Sequence, residues 1–267
     1  HIRYWDIGAD YGTPGYASYR SIFDNLLMFN QYLTRLHLGV VPLNVVEDVE
    51  LGLYSNHTIT DLQIDSFRDD SRYAKRCKDM INRLLEQNSR GQGKSRAIKQ
   101  FMTGILPVQM RAGHVELSGC RYGPDIVRLV LNGIRGYSRD IPISKVRNLS
   151  LDGNELNAAD VVYLSENIDS VPSLESLSLN NNPLGDSISA PISKIIVDGP
   201  STLTELNLAN TDITEAVALR ARLALESANP KMKKMDLSGN RIPYVAERLG
   251  IARILYTRRW PSPSGAA

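Results

Sequence analysis

The sequence predicts an α/β solenoid, in which short parallel strands form one face and helices form the other. Three observations lead to this fold class. A phrase of the form L-x-x-L-x-L-x-x-N-x-L recurs four times, its copies start 28 or 29 residues apart, and a stretch with helical apolar spacing follows each copy. A period of this length accommodates one strand and one helix. No single unit can bury its own leucines, so we expect neighbouring units to stack and share one core.

The four clear copies begin at Val146, Leu174, Leu203 and Met232, and read VRNLSLDGNEL, LESLSLNNNPL, LTELNLANTDI and MKKMDLSGNRI. The fourth and sixth positions of each copy alternate along a short strand and are expected to point into the core. The turn that follows carries Asn154, Asn182, Thr211 or Asn240. An asparagine amide can satisfy backbone groups in such a turn, which an apolar side chain cannot do.

Weaker copies extend the repeat towards the N-terminus, beginning at Ile2, Leu33, Ile59 and Ala112. The interval between the last two is about two periods, and it predicts an insertion at about 89–110. We expect a long helix at 69–88 to precede a polar loop at 89–94, and a second loop at 138–144. The whole chain, 1–267, is then expected to form a single domain of about seven or eight repeats.

Apolar residues at helical spacing predict a helix in the second half of most units. The predicted helices cover 19–31, 125–131, 158–167, 186–197 and 214–227. A further helix at 244–256 is expected to cap the C-terminal end, and 260–267 is expected to be a frayed tail.

Composition narrows the classes of function. The chain has 31 Lys and Arg against 29 Asp and Glu, a net charge of +2, which argues against a nucleic-acid partner. Two cysteines cannot form a disulfide framework, so a cytoplasmic location is expected. The sequence contains no apolar run of about 18 residues, so we expect no contact with membrane.

The repeats resemble the leucine-rich repeats of the ribonuclease-inhibitor-like subclass, most clearly at 146–242. The resemblance implies a horseshoe whose strands form the concave face and whose helices form the convex face. It also implies a non-enzymatic module that binds another protein through the concave face and the inserted loops. Similar arrays occur in innate-immune receptors and in effectors that bacteria inject into host cells.

From this resemblance we expect a bacterial effector, a virulence protein that acts on a host protein in the host-cell cytoplasm. Two alternatives remain open. The array could be the substrate-recruiting part of a ubiquitin ligase or of a GTPase regulator, or it could belong to a eukaryotic cytosolic receptor or adaptor. The partner's identity and the oligomeric state are not predicted.

The candidate binding residues are strand positions between the leucines and their neighbours, which should point away from the core. They are Arg35, His37, Asp61, Gln63, Asp65, His114, Glu116, Asn148, Asp152, Glu175, Ser178, Glu205, Asn207, Lys234 and Asp236. The carboxylates among them give the central part of this surface an acidic character. We therefore expect a partner protein with a basic surface.

Other motifs do not support a catalytic, cofactor-binding or metal site. The segment NSRGQGKS at 88–95 resembles the tail of a phosphate-binding loop, but Asn88 occupies the place of the first glycine and a helix is predicted before it. Cys77 and Asp79 match the short C-x-D motif of bacterial ubiquitin ligases that carry leucine-rich repeats. The four histidines show no metal-ligand spacing with the cysteines.

Overall fold

The computed structural model describes residues 4–7, 27, 30–41, 43–67, 72–228 and 232–242. The chain divides into two compact units. Unit 1 comprises His1–Ile105 with Gly119–Tyr122, and unit 2 comprises Leu106–Ser118 with Gly123–Ala267. The predicted capping helix at 244–256, the tail at 260–267 and most of the predicted helix at 19–31 lie outside the described residues.

Unit 1 contains a three-stranded parallel sheet in the order β1–β2–β3. Its elements are β1 (Tyr4–Ile7), β2 (Arg35–Val41), α1 (Leu43–Ser55), β3 (Asp61–Phe67), α2 (Arg72–Ser89), α3 (Gly93–Gln100) and a π-helical stretch, Phe101–Ile105. In β2, Leu36 and Leu38 are buried and pair in register with Leu62 and Ile64 of β3. α1 and α2 complete this core with buried residues such as Val49.

A buried asparagine, Asn56, stabilises the segment between α1 and β3 through hydrogen bonds to backbone groups. Asn56 is fully buried; its Oδ1 accepts hydrogen bonds from the backbone N–H groups of Thr58 (2.9 Å) and Ile59 (2.8 Å). Its Nδ2 donates to the carbonyls of Leu27 (2.9 Å) and Asn30 (3.1 Å). The amide therefore satisfies backbone groups that belong to two successive repeats.

The predicted loop at 89–94 is wrong in extent, because helix α2 runs to Ser89 and α3 begins at Gly93. The insertion is largely helical. Arg96 of α3 explains the tight connection, because its Nη2 donates to the carbonyls of Leu53 (2.9 Å) and Asn56 (2.8 Å) and to Asn88 Oδ1 (2.7 Å). This guanidinium satisfies carbonyls at the C-terminal end of α1, and Gly93 leaves room for Asn88 beside it.

Unit 2 contains a five-stranded, all-parallel sheet in the order β4–β5–β6–β7–β8. Its strands are β4 (His114–Glu116), β5 (Asn148–Ser150), β6 (Ser176–Ser178), β7 (Glu205–Asn207) and β8 (Lys234–Asp236). Its α-helices are α4 (Leu106–Ala112), α5 (Ile126–Tyr137), α6 (Ala158–Asn167), α7 (Ser189–Asp198) and α8 (Glu215–Ala228). Short 3₁₀ turns lie at Ile143–Lys145, Ile168–Ser170 and Asp186–Ile188.

The repeat register predicted for unit 2 is confirmed. Leu149, Leu177 and Leu206 face each other across the sheet, and each is at most 2% exposed. The predicted helix at 158–167 coincides with α6, where an N-terminal capping box joins Asn157 and Asp160. Parallel strands and helices in an α/β arrangement are therefore confirmed, while the horseshoe and the single continuous domain stay predictions.

The turns after the strands carry the asparagine ladder, which we define as Asn154, Asn182 and Asn240. Asn182 is fully buried, and its Oδ1 accepts from the N–H groups of Asn154 (2.9 Å) and Leu156 (3.0 Å). Its Nδ2 donates to the carbonyls of Leu151 (3.0 Å), Leu179 (2.8 Å) and Asn180 (3.1 Å). The predicted role of these asparagines is confirmed, and each amide joins its own turn to the preceding one.

Thr211 occupies the asparagine position in one repeat and makes fewer contacts. Its hydroxyl donates to the Leu208 carbonyl at 2.7 Å, a carbonyl that also accepts from Asn240 Nδ2 at 2.7 Å. The backbone carbonyl of Thr211 accepts from the N–H of Leu184 at 3.1 Å. The Thr211 carbonyl thus accepts the hydrogen bond of Leu184 N–H, whereas in the preceding repeat the side chain of Asn182 accepts the equivalent bond from Leu156.

Among the described residues, no helix combines the length and apolar character needed to cross a membrane.

Candidate protein-binding surface

The sheet of unit 2 has one polar side, which we call the strand face. Two rows of side chains cross it. They are His114, Asn148, Ser176, Glu205 and Lys234 in the first row, and Glu116, Ser150, Ser178, Asn207 and Asp236 in the second. All ten are exposed or half-buried, whereas the residue between them on each strand is buried. The structure therefore brings the predicted strand residues of unit 2 together on one surface.

Cross-strand ion pairs neutralise part of the predicted acidic character. Arg147 Nη1 lies 2.9 Å from Glu175 Oε1, and Lys234 Nζ lies 3.8 Å from Glu205 Oε2. These side chains are about half exposed or more, so each pair contributes little stability, on the order of 0–1 kcal/mol. Glu175 and Glu205 each have a basic neighbour one strand away, which offsets part of the acidic character expected from them.

Glu116 and Asp152 are two carboxylates of the strand face that lie near each other. Among the described residues, neither forms an ion pair. Glu116 Oε1 accepts a hydrogen bond from the N–H of Ser118 at 2.8 Å, and Ser118 Oγ lies 2.7 Å from Ser150 Oγ. We call Glu116, Ser118, Ser150, Asp152 and Ser178 the Asp152 cluster.

Two oxygen atoms of the Asp152 cluster, Asp152 Oδ1 and Ser178 Oγ, are buried and make no hydrogen bond of standard geometry with a described residue. Burial raises the pKa of the Asp152 carboxyl and the Glu116 carboxylate adds to the rise, while hydrogen bonding from Ser178, Asn180 and Ser150 to this carboxyl lowers it. A buried oxygen without a partner is costly in an isolated protein. A donor from another molecule would remove that cost.

Strand β4 forms one edge of the sheet, and a side chain from α4 closes it. Gln109 Oε1 accepts from the N–H of Glu116 at 3.0 Å, and Gln109 Nε2 donates to the Glu116 carbonyl at 3.2 Å. The amide of Gln109 thus satisfies backbone groups that would otherwise be open to another strand. This arrangement also fixes the strand position from which the Glu116 side chain extends.

The predicted residues of unit 1 form a separate set of pairs. Arg35 Nε lies 3.8 Å from Asp61 Oδ2, and both side chains are well exposed. His37 Nε2 lies 2.6 Å from Asp65 Oδ1. Gln63 pairs in register with His37 on the neighbouring strand and is exposed. These carboxylates have partners within their own sheet, unlike those of the Asp152 cluster.

Cys77 lacks the properties of a catalytic nucleophile. Its side chain is buried, and burial raises the pKa of the thiol to about 11, with a further rise from the hydrogen bond to Glu50. A thiol with so high a pKa is almost entirely protonated near neutral pH. Cys120, the other cysteine, is also buried.

The segment at 88–95 does not form a phosphate-binding loop in the structure. Asn88 is buried and donates to the carbonyl of Ile59 at 2.7 Å, while its Oδ1 accepts from Arg96. Lys94 and Ser95 lie in the first turn of α3. These contacts give the segment a role in packing α2 and α3.

The sequence prediction missed Arg147 and Ser118 as parts of the strand face. Arg147 occupies the same repeat position as Glu175, and Ser118 the same position as Asp152. Aligning the repeats column by column would have identified both, because parallel strands place equal positions side by side.

Comparisons with known proteins support the repeat assignment. A family model described as Leucine Rich Repeat matches residues 173–195, which include β6 and part of α7. This supports a leucine-rich-repeat protein. The repeats of such proteins are modules for binding other proteins. The ribonuclease-inhibitor-like subclass stays a prediction.

No curated protein matches the sequence significantly. Among solved structures, a chain in the crystal structure of the Rad7 and Elc1 complex in yeast is similar, with 13% sequence identity and a TM-score of 0.36. The similarity covers 84% of this chain and 74% of that chain. At this TM-score the likeness carries no argument about function.

Proposed function

We propose that the strand face of unit 2 binds another protein, without catalysing a reaction, and that a basic side chain of that protein reaches the Asp152 cluster. The observation that carries the proposal is the pair of buried oxygens, Asp152 Oδ1 and Ser178 Oγ, which make no hydrogen bond of standard geometry and lie beside the carboxylate of Glu116. A Lys or Arg side chain would supply charged hydrogen-bond donors to the carboxylates of Asp152 and Glu116.

Charged groups on the strand face differ in exposure, and exposure determines how much each contributes to binding. The Arg147–Glu175 and Glu205–Lys234 pairs lie on more exposed parts of the face, where charges affect the rate of association more than affinity. The Asp152 cluster is less exposed, so a contact there excludes more water and contributes more. We therefore expect the main contact on β4, β5 and β6.

The test compares two double variants in affinity capture from cell lysate, with the captured proteins identified by mass spectrometry. Glu116→Gln with Asp152→Asn removes the unbalanced negative charge. Glu166→Gln with Asp198→Asn is the matched control, because both residues are exposed on helices. We expect a set of proteins bound by wild type to be lost with the first variant and retained with the control.

The same set captured by both variants would show that the Asp152 cluster does not bind the partner. Circular dichroism of each variant excludes unfolding as a cause of lost binding. Asp152→Asn removes a carboxyl whose ionisation burial disfavours, so we expect this variant to remain folded.

The effector role, the cytoplasmic location and the alternative roles in a ubiquitin ligase, a GTPase regulator or a receptor stay predictions. Neither the repeat match nor the geometry of the strand face bears on them. The captured proteins would distinguish among these roles.

A further inference from the structure

Positive charge is concentrated in one part of unit 1. Residues 72–99 contain nine Lys and Arg but only two Asp and Glu, a net charge of +7, whereas the whole chain carries +2. The rest of the chain is therefore net acidic, and the near-neutral total conceals the separation. This concentration falls on α2 and α3.

The cations of α2 share one side of the helix, which we call the basic stripe: Arg72, Lys75, Arg76 and Arg83. Lys75 and Arg76 follow Arg72 by three and four residues, and Arg83 follows Arg76 by seven. This spacing places the four side chains on one face of the helix, over about 16 Å of its length. Ala74, Cys77, Ile81, Leu84 and Asn88 are buried on the opposite face. The basic stripe is thus directed away from the core, and all four of its side chains are exposed.

None of the four side chains forms an ion pair with another described residue. By contrast, Arg90, which directly follows α2, forms an ion pair with Glu86, with Nη2 2.6 Å from Oε1. Arg96 of α3 donates to carbonyls at the C-terminal end of α1. Glu47 and Glu50 of α1 lie near Tyr73 and Cys77, on the side of α2 that faces α1. Among the described residues of unit 1, Asp79 is thus the carboxylate that lies within the stripe, and none forms an ion pair with its four cations.

A shallow cavity of about 680 Å³ lies over the stripe. Its lining among the described residues consists of the four cations together with Tyr73, Asp79 and Met80. Tyr73 is 46% exposed, so the cavity combines positive charge with apolar surface. Such a mixture suits the side chains of a protein.

Asp79 decides between an acidic protein and a uniform polyanion. It lies within the stripe, between Arg76 and Arg83, and it is exposed. A nucleic acid or an anionic membrane would place negative charge against this carboxylate, which is unfavourable. A protein segment can place carboxylates opposite the cations and a single basic residue opposite Asp79.

We propose that the basic stripe of α2 is a second interaction surface, which binds an acidic helical segment of another protein. The segment would present Glu or Asp at intervals of three and four residues, with one Lys or Arg at the centre. Arginine predominates in the stripe, and a guanidinium can bind a carboxylate through two parallel hydrogen bonds. This surface is distinct from the strand face and does not depend on it.

The test measures fluorescence anisotropy of a labelled synthetic helical peptide with Glu at these intervals and one central Lys. The full chain is titrated at low salt. Arg76→Glu with Arg83→Glu should weaken binding by about tenfold or more, because two attractions become repulsions. The matched control is Arg139→Glu with Arg220→Glu, since both residues are exposed in unit 2, and binding should remain at the wild-type level.

Asp79→Asn distinguishes a specific contact of Asp79 from a general effect of net charge, because net charge alone predicts tighter binding of every acidic peptide. We expect this variant to bind the peptide with a central Lys more weakly, and an all-Glu version of the peptide more tightly. Tighter binding of a short DNA duplex or of vesicles rich in phosphatidylserine than of the peptide would overturn the proposal. Absence of peptide binding, or equal loss in the stripe and control variants, would overturn it as well. Glu116→Gln with Asp152→Asn should leave peptide binding intact, which separates this proposal from that for the strand face.

Discussion

Replacing Asn182 with alanine should destabilise unit 2 strongly, although the change removes only a few atoms. The side chain is fully buried and makes five hydrogen bonds, all to backbone groups. An alanine at this position leaves two N–H groups, those of Asn154 and Leu156, without their side-chain acceptor. It also removes one donor from each of three carbonyls.

The magnitude follows from the two N–H groups. A buried donor left unsatisfied costs about 1–3 kcal/mol, and carbonyls tolerate the loss of one partner better than N–H groups do. Two such donors therefore predict a loss of roughly 2–6 kcal/mol in the free energy of unfolding. A change of this size is a large fraction of the stability of most domains.

The assay is urea denaturation followed by circular dichroism, with Thr211→Ala as the matched control. Thr211 occupies the same repeat position, but the Leu208 carbonyl that it contacts keeps its bond to Asn240. The control should cost at most about 1.5 kcal/mol, the usual value of one hydrogen bond. Equal losses in the two variants would refute the reasoning that the number of satisfied backbone groups sets the effect.

Three further predictions concern packing, charge and backbone conformation. Leu206→Ala should cost roughly 2–5 kcal/mol in urea denaturation, because the side chain is buried between neighbouring strands; a neutral result would mean that the strand register is wrong. Burial raises the pKa of Asp152 above its ordinary value of 3.8, so the folded state binds more protons than the unfolded state and wild-type stability falls as pH rises through this range. Asp152→Asn should therefore gain stability relative to wild type as the pH rises through and above the ordinary pKa of 3.8, and a constant difference in denaturation midpoint would contradict this. Gly113→Ala should lower the free energy of unfolding, measured by thermal denaturation, by about 1–3 kcal/mol. The reason is that φ at Gly113 is +86° and an added Cβ would lie 2.8 Å from the Lys145 carbonyl oxygen. The control Gly136→Ala, in a helix with open space around it, should be neutral or stabilising by about 0.5–1 kcal/mol.

The repeat of unit 2 was predictable from sequence because its signals are local. Leu177 and Leu206 occupy fixed positions in a phrase that recurs at a constant interval, and both are buried as the phrase indicates. The role of Asn182 followed from the chemistry of its amide. Repeats of this kind contact mainly their neighbours, so little long-range information is needed.

Unit 1 was harder to predict because its key contacts join distant residues. Asn56 lies before its strand and not after it, so the phrase of unit 2 does not detect it. A second pattern could have revealed it, since N-x-x-[L/I]-T occurs at both Asn30 and Asn56, 26 residues apart. The short connection to α3 depends on Arg96 binding to carbonyls about 40 residues earlier in the chain, and no local signal predicts that contact.

For the candidate surface, the sequence indicated which residues face outward but not which charges stay unbalanced. Glu175 and Glu205 have basic neighbours, whereas Asp152 has none among the described residues. Whether a carboxylate meets a cation depends on the register of strands and on rotamers. The concentration of positive charge on α2 can be counted from the sequence within 72–99, but the net charge of +2 for the whole chain does not reveal it.

The asparagine ladder has a consequence for synthesis of the chain. The turn at Asn154 and Leu156 is completed by Asn182, and the turn at Thr211 and Ile213 by Asn240. The side-chain acceptor of each turn, Asn182 Oδ1 or Asn240 Oδ1, therefore becomes available only after 28 or 29 residues beyond Asn154 or Thr211 have left the ribosome. A nascent chain builds from its N-terminus, so the newest repeat remains open until its successor emerges. A ribosome that pauses within unit 2 would thus expose one incomplete turn, and the length of the pause would set how long chaperones and proteases have access to it.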